Sequence, residues 1–432
     1  SGSSVVGTLK YHATSSTLNY SGITVTAGNE FPATDGPANV TLTNNASVTF
    51  GTARTIPGNV TVANGSSLAV TNTLVFNNFE LSGSANFGTA STLNGTLAIN
   101  TGGFVSVNAP TYGASSTLKY NSGVIYGRSL EWSSTSGAGY PNDVQISNGT
   151  TLNLGNSGTT TARQMAGNLT IDAGSALDMS VSGSVMERPL TVFGNITNGG
   201  TLKLGGINGP DAGDLIVKGN FTNNGTFNSN TREVVFDGTS VQTISGTTSP
   251  VFTYFALSNP AGVELGVNTT IQNRLRFDEG VLRLTNFNLS LSSGATYSGT
   301  PSAIQMIVTN GTGMLKFTGT GPSTLLFPIG DETGTAEYSP AQVILNSGTE
   351  TIGVKVVDGA HPSKEPGALY LTRYWDITRD GNSSINYDLT LNYLDGDVSE
   401  PAQESSLVMG KFNGTLWTVL PTTLDATANT LT

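Results

Sequence analysis

The chain has no cysteine, so neither a disulfide framework nor thiolate chemistry operates in it. Histidine is almost as scarce. His12 and His361 are the only two, which argues against a Ser-His-Asp triad and against a histidine-rich metal site. Charged residues make up only 11% of the sequence, against roughly a quarter in an average globular protein. Lys and Arg number 18 against 29 Asp and Glu, for a net charge of −11. That balance disfavours nucleic acid and anionic membrane surfaces as partners and is compatible with divalent cations. No apolar run reaches the roughly 18 residues of a membrane-spanning helix, so no membrane insertion is expected. No signal-peptide pattern opens the sequence, and Ser1-Gly2-Ser3-Ser4 reads as a cloning scar or the start of a fragment. The end at Thr432, inside a strand-forming stretch, also reads as a fragment.

What is abundant is small and polar: 54 glycines, with Ser, Thr and Asn, beside a 37% hydrophobic fraction. The apolar residues alternate regularly, which disordered chains do not do. One phrase recurs. Gly167-Asn168-Leu169-Thr170-Ile171 leads through Ala173-Gly174-Ser175 to Leu177 and Met179, two short strands with apolar residues two apart. It returns at Gly58-Asn59-Val60-Thr61-Val62, at Val144 to Leu154, and in short form at Gly194-Asn195-Ile196 and Gly219-Asn220-Phe221.

A longer duplication lies above the phrase. Ser16 to Tyr20 matches Ser116 to Tyr120, Glu30-Phe31 matches Glu131-Trp132, and Arg54 to Val60 matches Arg163 to Leu169. Residues 8–110 and 111–215 read as two copies of one multi-turn unit, with further strands to about 300. Phrase starts about 20 to 27 residues apart, Gly/Asn turns and few helix formers predict an all-β chain: a parallel β-solenoid (β-helix) over 1–300, of about 12 rungs. Stacked antiparallel sandwiches are the competing reading, but they rarely keep one phrase at one period.

Near Pro301 the composition shifts to more Pro, aromatic and charged residues and to longer strands, which predicts an Ig-like β-sandwich over 301–432. Phe327-Pro328-Ile329-Gly330, Tyr338-Ser339-Pro340, His361-Pro362, Arg373-Tyr374-Trp375-Asp376-Ile377 and Leu389 to Tyr393 follow in that order. This block resembles a β-sandwich module of large Bacteroidota surface proteins, found downstream of repetitive Gly/Asn/Thr-rich segments and upstream of a type IX secretion sorting signal. The resemblance implies an extracellular, cell-surface adhesin or fibre, secretion machinery as a partner, and surface glycans or neighbouring cells as targets. No sorting signal follows here.

Chemistry-bearing clusters are few, and no catalytic residue is assigned. Asp395-Gly396-Asp397-Val398-Ser399-Glu400 gathers three carboxylates, so Asp395, Asp397 and Glu400 are the candidate Ca²⁺ ligands; Asp-Gly is equally ordinary turn chemistry. Asp172/Asp178, Asp211/Asp214 and Asp278/Glu279 are the acidic pairs that a polysaccharide lyase or hydrolase would need, without the basic cluster that holds a uronate. Asn-Gly-Thr sequons such as Asn64, Asn94 and Asn148 read as turns before glycosylation sites. Trp132, Tyr126 and Tyr140 offer a sugar-stacking platform, although the Glu131-Trp132 repeat points to core. The expected function is a non-enzymatic extracellular stalk or adhesin; the alternatives are a carbohydrate-active or glycan-binding β-helix and an inert secretion passenger.

Overall fold

The computed structural model describes residues 9–156, 158–206, 213–382 and 384–432. Ser1 to Ser4 and Asp211 lie outside these residues. The protein is all-β, 47% strand and 3% helix, with a parallel β-solenoid of about 15 turns. It divides into two compact units, one ending at Val234 and the other starting at Val235.

In the first unit the alternation of the sequence becomes a ladder. Along Asn39–Thr43, Val40 and Leu42 are buried while Asn39, Thr41 and Thr43 face outward. Val40 stacks in parallel register on Val60, then Phe79, Leu97, Leu118, Val144, Leu169, Ile196 and Phe221. Every member of that file is buried, and each such side chain contributes roughly 1.5–3 kcal/mol. A second ladder stacks Thr24–Thr26, Ser47–Phe50, Ser67–Val70, Ser84–Asn86 and Phe104–Val105. A separate set of five runs from Ile125–Gly127 to Thr226–Asn228. Arg163–Met165, Leu190–Val192 and Leu215–Val217 form a third side.

The Gly-Asn opening of the phrase has two physical causes. The Asn side-chain oxygen caps the backbone N–H of the next rung: Asn168 accepts from Asn195 N and Asn195 from Asn220 N, both at 2.8 Å. The glycine is needed because rungs touch there; a Cβ on Gly194 would sit 2.5 Å from the backbone of Gly167. Asn148 (φ 57°) and Gly149 (φ 70°) take the left-handed conformation that turns the chain into the next strand.

The second unit starts in the same way. Gln242–Ser245, Val263–Leu265, Leu282–Arg283, Ile307–Val308 and Ile329–Asp331 stack in parallel. So do Val251–Ser258, Thr269–Glu279, Leu289–Leu291 and Leu315–Thr320. Parallel pairing therefore continues past residue 301, and the composition change precedes the change in pairing. Leu315–Thr320 then pairs antiparallel with Thr349–Asp358, which pairs with Arg373–Arg379; Glu337–Tyr338 pairs antiparallel with Ile329–Asp331. The last parallel strands thus have antiparallel partners instead of open edges. A second antiparallel sheet joins Ser323–Phe327, Ala341–Ser347, Asn386–Asn392, Thr430–Leu431 and Leu424–Asp425. The two sheets touch where Phe317 packs on Phe327 (ring centroids 6.3 Å).

Candidate functional site

The duplicated residues build the same constellation twice. In the first copy Tyr20 donates its hydroxyl to Glu30 Oε1 (2.9 Å), Gly28 N donates to the same oxygen (2.9 Å), and Tyr11 donates to the Glu30 carbonyl (2.7 Å). In the second, Tyr120 and Ser129 N reach Glu131 Oε1 at 3.2 and 2.8 Å, and Tyr112 reaches the Glu131 carbonyl at 2.9 Å. Phe31 and Trp132, next in sequence, are both fully buried, so Trp132 is core and offers no stacking platform to a sugar. These are latches that fold each excursion back onto its rung. Burial of the Glu30 carboxyl pushes it up, but the Gly28 amide and the Tyr20 hydroxyl win and leave it below its ordinary value. The completely buried Glu131 goes the other way: desolvation outweighs the same kinds of bond and raises it.

A buried charge centre lies in the second unit. Arg373 is fully enclosed and donates from Nε to Asp397 (2.8 Å), from Nη1 to Asp331 (2.6 Å) and from Nη2 to Glu337. Burial alone would lower this guanidinium, but its bonds to Asp397 and Asp331 hold it above its ordinary value. The Glu337 carboxyl is raised by burial and by Asp397, Asp331 and Asp358, against the pull of Arg373. Three of the strand motifs singled out by the sequence meet here: the strand after Phe327-Pro328, the strand before Ser339-Pro340, and Arg373 itself. Trp375 adds a bond from Nε1 to the Ser339 carbonyl (3.2 Å).

The candidate calcium ligands are placed as follows. Asp397 is buried, on Arg373 and on the Leu394 amide (3.0 Å). Asp395 is exposed and accepts from Asn429 Nδ2 (2.8 Å), and Glu400 is exposed. A short 3-10 turn over Asp395–Asp397 sends neighbouring carboxylates in different directions. Among the described residues, the acidic trio whose oxygens come within 4.8 Å of one another is Glu337, Asp358 and Asp397. Sequence reasoning missed it because its members lie on three separated elements.

The other acidic pairs are tied into the ladder. Asp172 accepts from Gln145 Nε2 (2.8 Å) and Asp178 pairs with Lys203 (3.3 Å). Asp214 binds Arg232 Nε at 2.7 Å. Asp278 binds Ser258 Oγ at 2.6 Å and, with Asp237 and Glu279, lines a depression of about 540 Å³. His361 lies against Tyr374, Phe412 and Trp417, with ring centroids 4.9, 5.1 and 4.9 Å away, and so pins the Gly410–Phe412/Trp417–Val419 hairpin to its loop. His12 is far along the chain and contacts Ser15 Oγ (2.9 Å).

No family model, no curated protein and no solved structure matches this chain.

Proposed function

We propose that this chain is a non-enzymatic, extracellular stalk or adhesin segment of a larger surface protein. The observation that carries the reading is the ladder: an unbroken file of buried apolar residues inside, mainly polar side chains outside, and Asn side chains bonded from rung to rung. Such stacking gives rigid length with the backbone paired throughout and an acidic, soluble exterior. In this reading the two antiparallel sheets form an Ig-like β-sandwich over the last third of the chain, closed on the Arg373 centre. The resemblance of its motifs to the Bacteroidota module extends the proposal to type IX export, display at the cell surface, and glycans or neighbouring cells as partners.

A specific observation favours a second reading as a carbohydrate-active enzyme: Asp237, Asp278 and Glu279 share one depression. The experiment is incubation of the protein with a polysaccharide panel, with and without Ca²⁺, scoring retained protein and new reducing ends together. Retention without new ends is expected of the adhesin. New ends that vanish in Asp278→Asn would make the protein an enzyme.

A further inference from the structure

The sequence holds eight Asn-Gly pairs, in which the nitrogen after the asparagine has no neighbouring side chain to shield it. Asn208-Gly209 lies outside the described residues. Attack of that nitrogen on the asparagine Cγ has three requirements: a glycine N–H not committed to another bond, an Nδ2 free to leave, and room for the peptide to turn toward Cγ.

In the stacked rungs at least one requirement fails. Gly95 N donates to Asn77 O (2.9 Å), Gly199 N to Ile171 O (2.7 Å) and Gly149 N to Ser175 Oγ (3.1 Å). Asn148 Nδ2 donates to Asn121 O (3.2 Å) and Asn198 Nδ2 to Thr226 O (2.9 Å), which holds both leaving groups. At Gly65, Gly225 and Gly311 the room is missing. A Cβ there would run into Asn45, Gly200 and Thr285 respectively, so each peptide lies against a neighbouring segment.

Asn413 meets all three requirements. It is exposed, in the turn that joins Gly410–Phe412 to Trp417–Val419. Gly414 has φ 97°, and nothing lies within 4 Å of where its Cβ would be. Neither Gly414 N nor Asn413 Nδ2 has a hydrogen-bond partner among the described residues. Asn413 Oδ1 accepts from Thr415 N (3.0 Å) and Leu416 N (2.9 Å). Two donors on that oxygen draw electron density from Cγ and stabilise the negative charge that develops as the nitrogen adds.

We infer that Asn413 is a site of spontaneous deamidation through a cyclic imide. Hydroxide takes the Gly414 N–H proton and the nitrogen bonds to Asn413 Cγ. The Cγ–Nδ2 bond then breaks, and Nδ2 leaves as ammonia with a proton from water, which restores the hydroxide. Water opens the ring at Cγ to give aspartate, or at the main-chain carbonyl to give isoaspartate. Either product adds a negative charge. Aspartate keeps an acceptor for the Thr415 and Leu416 amides, whereas isoaspartate adds a methylene to the main chain of the turn. That turn sets the strands that carry Phe412 and Trp417 onto His361.

The test is incubation of the native full chain at mildly alkaline pH, followed by digestion and mass spectrometry that separates the Asn, Asp and isoAsp forms of each Asn-Gly peptide. Asn413 should convert at least about tenfold faster than Asn94, Asn148 and Asn198. In the chain unfolded by denaturant the four rates should fall within about threefold of one another, because only the folded geometry separates them. Asn413→Gln should remove the fast phase of the native chain. Conversion no faster at Asn413 than at the other three, a preference for Asn413 that survives unfolding, or a fast phase that persists in Asn413→Gln overturns the inference.

Discussion

Glu30 and Glu131 accept the same bonds from equivalent partners, yet their carboxyls are displaced in opposite directions. The difference lies in what surrounds the bonds. Glu30 retains some solvent, whereas Glu131 is 0% exposed. The second copy also has Arg128, which stands where the first has Ala27 and donates to the carbonyls of Leu154, Ser129 and Trp132 at 2.7–3.0 Å; its charge pulls the Glu131 carboxyl down, and desolvation still outweighs it. A duplicated sequence thus reproduces a hydrogen-bond pattern, while the packing around it sets the sign of the electrostatics.

The comparison breaks first at the anchoring rings. Trp132→Ala should cost about 4 kcal/mol and Phe31→Ala about 3 in denaturant unfolding, since both are fully buried but only Trp132 also bonds a carbonyl, that of Gln164 (2.8 Å). Arg128→Met should cost about 3 kcal/mol by leaving buried carbonyls unpaired; the equivalent position in the first copy is Ala27, and Arg54 there donates to the Pro32 and Pro37 carbonyls instead. Glu131→Ala should cost about 2 kcal/mol against about 1 for Glu30→Ala, read as faster amide exchange at Ser129 and Gly28 respectively. The smallest effect belongs to the phenols: Tyr120→Phe and Tyr20→Phe should each cost about 1 kcal/mol or less, because each removes one hydrogen bond from a ring that stays packed.

The latches were half legible in the sequence. Glu30-Phe31 and Glu131-Trp132 align, so a shared role was readable; the tyrosines that complete it lie 10 to 19 residues upstream and carry no local signature. The solenoid was legible because alternation and Gly-Asn turns are local consequences of stacking. Its turn number was not: about 15 turns form instead of about 12, since some rungs are as short as 18 residues, as between Asn78 and Thr96. The Arg373 centre was illegible for the opposite reason. Its partners lie 24 to 42 residues away on other elements, and only the fold brings them together. In the run Asp395 to Glu400, neighbours in sequence take different partners: Asp397 bonds Arg373 and Asp395 accepts from Asn429.

The most direct measurement is the opening free energy at the Ser129 and Gly28 amides, from native-state hydrogen exchange, as a function of pH. A carboxyl raised on folding holds more protons in the native state, so its contribution is fully present below the ordinary value of 4.5 and is lost as pH rises through the folded value. A lowered carboxyl contributes above 4.5 and loses that contribution as pH falls through its folded value. The Ser129 site should therefore weaken as pH rises from 4.5, a slope that Glu131→Gln abolishes. The Gly28 site should weaken as pH falls below 4.5, a slope that Glu30→Gln abolishes. Slopes of the same sign at the two sites would contradict the claim that packing, not the repeated hydrogen bonds, decides how each latch responds.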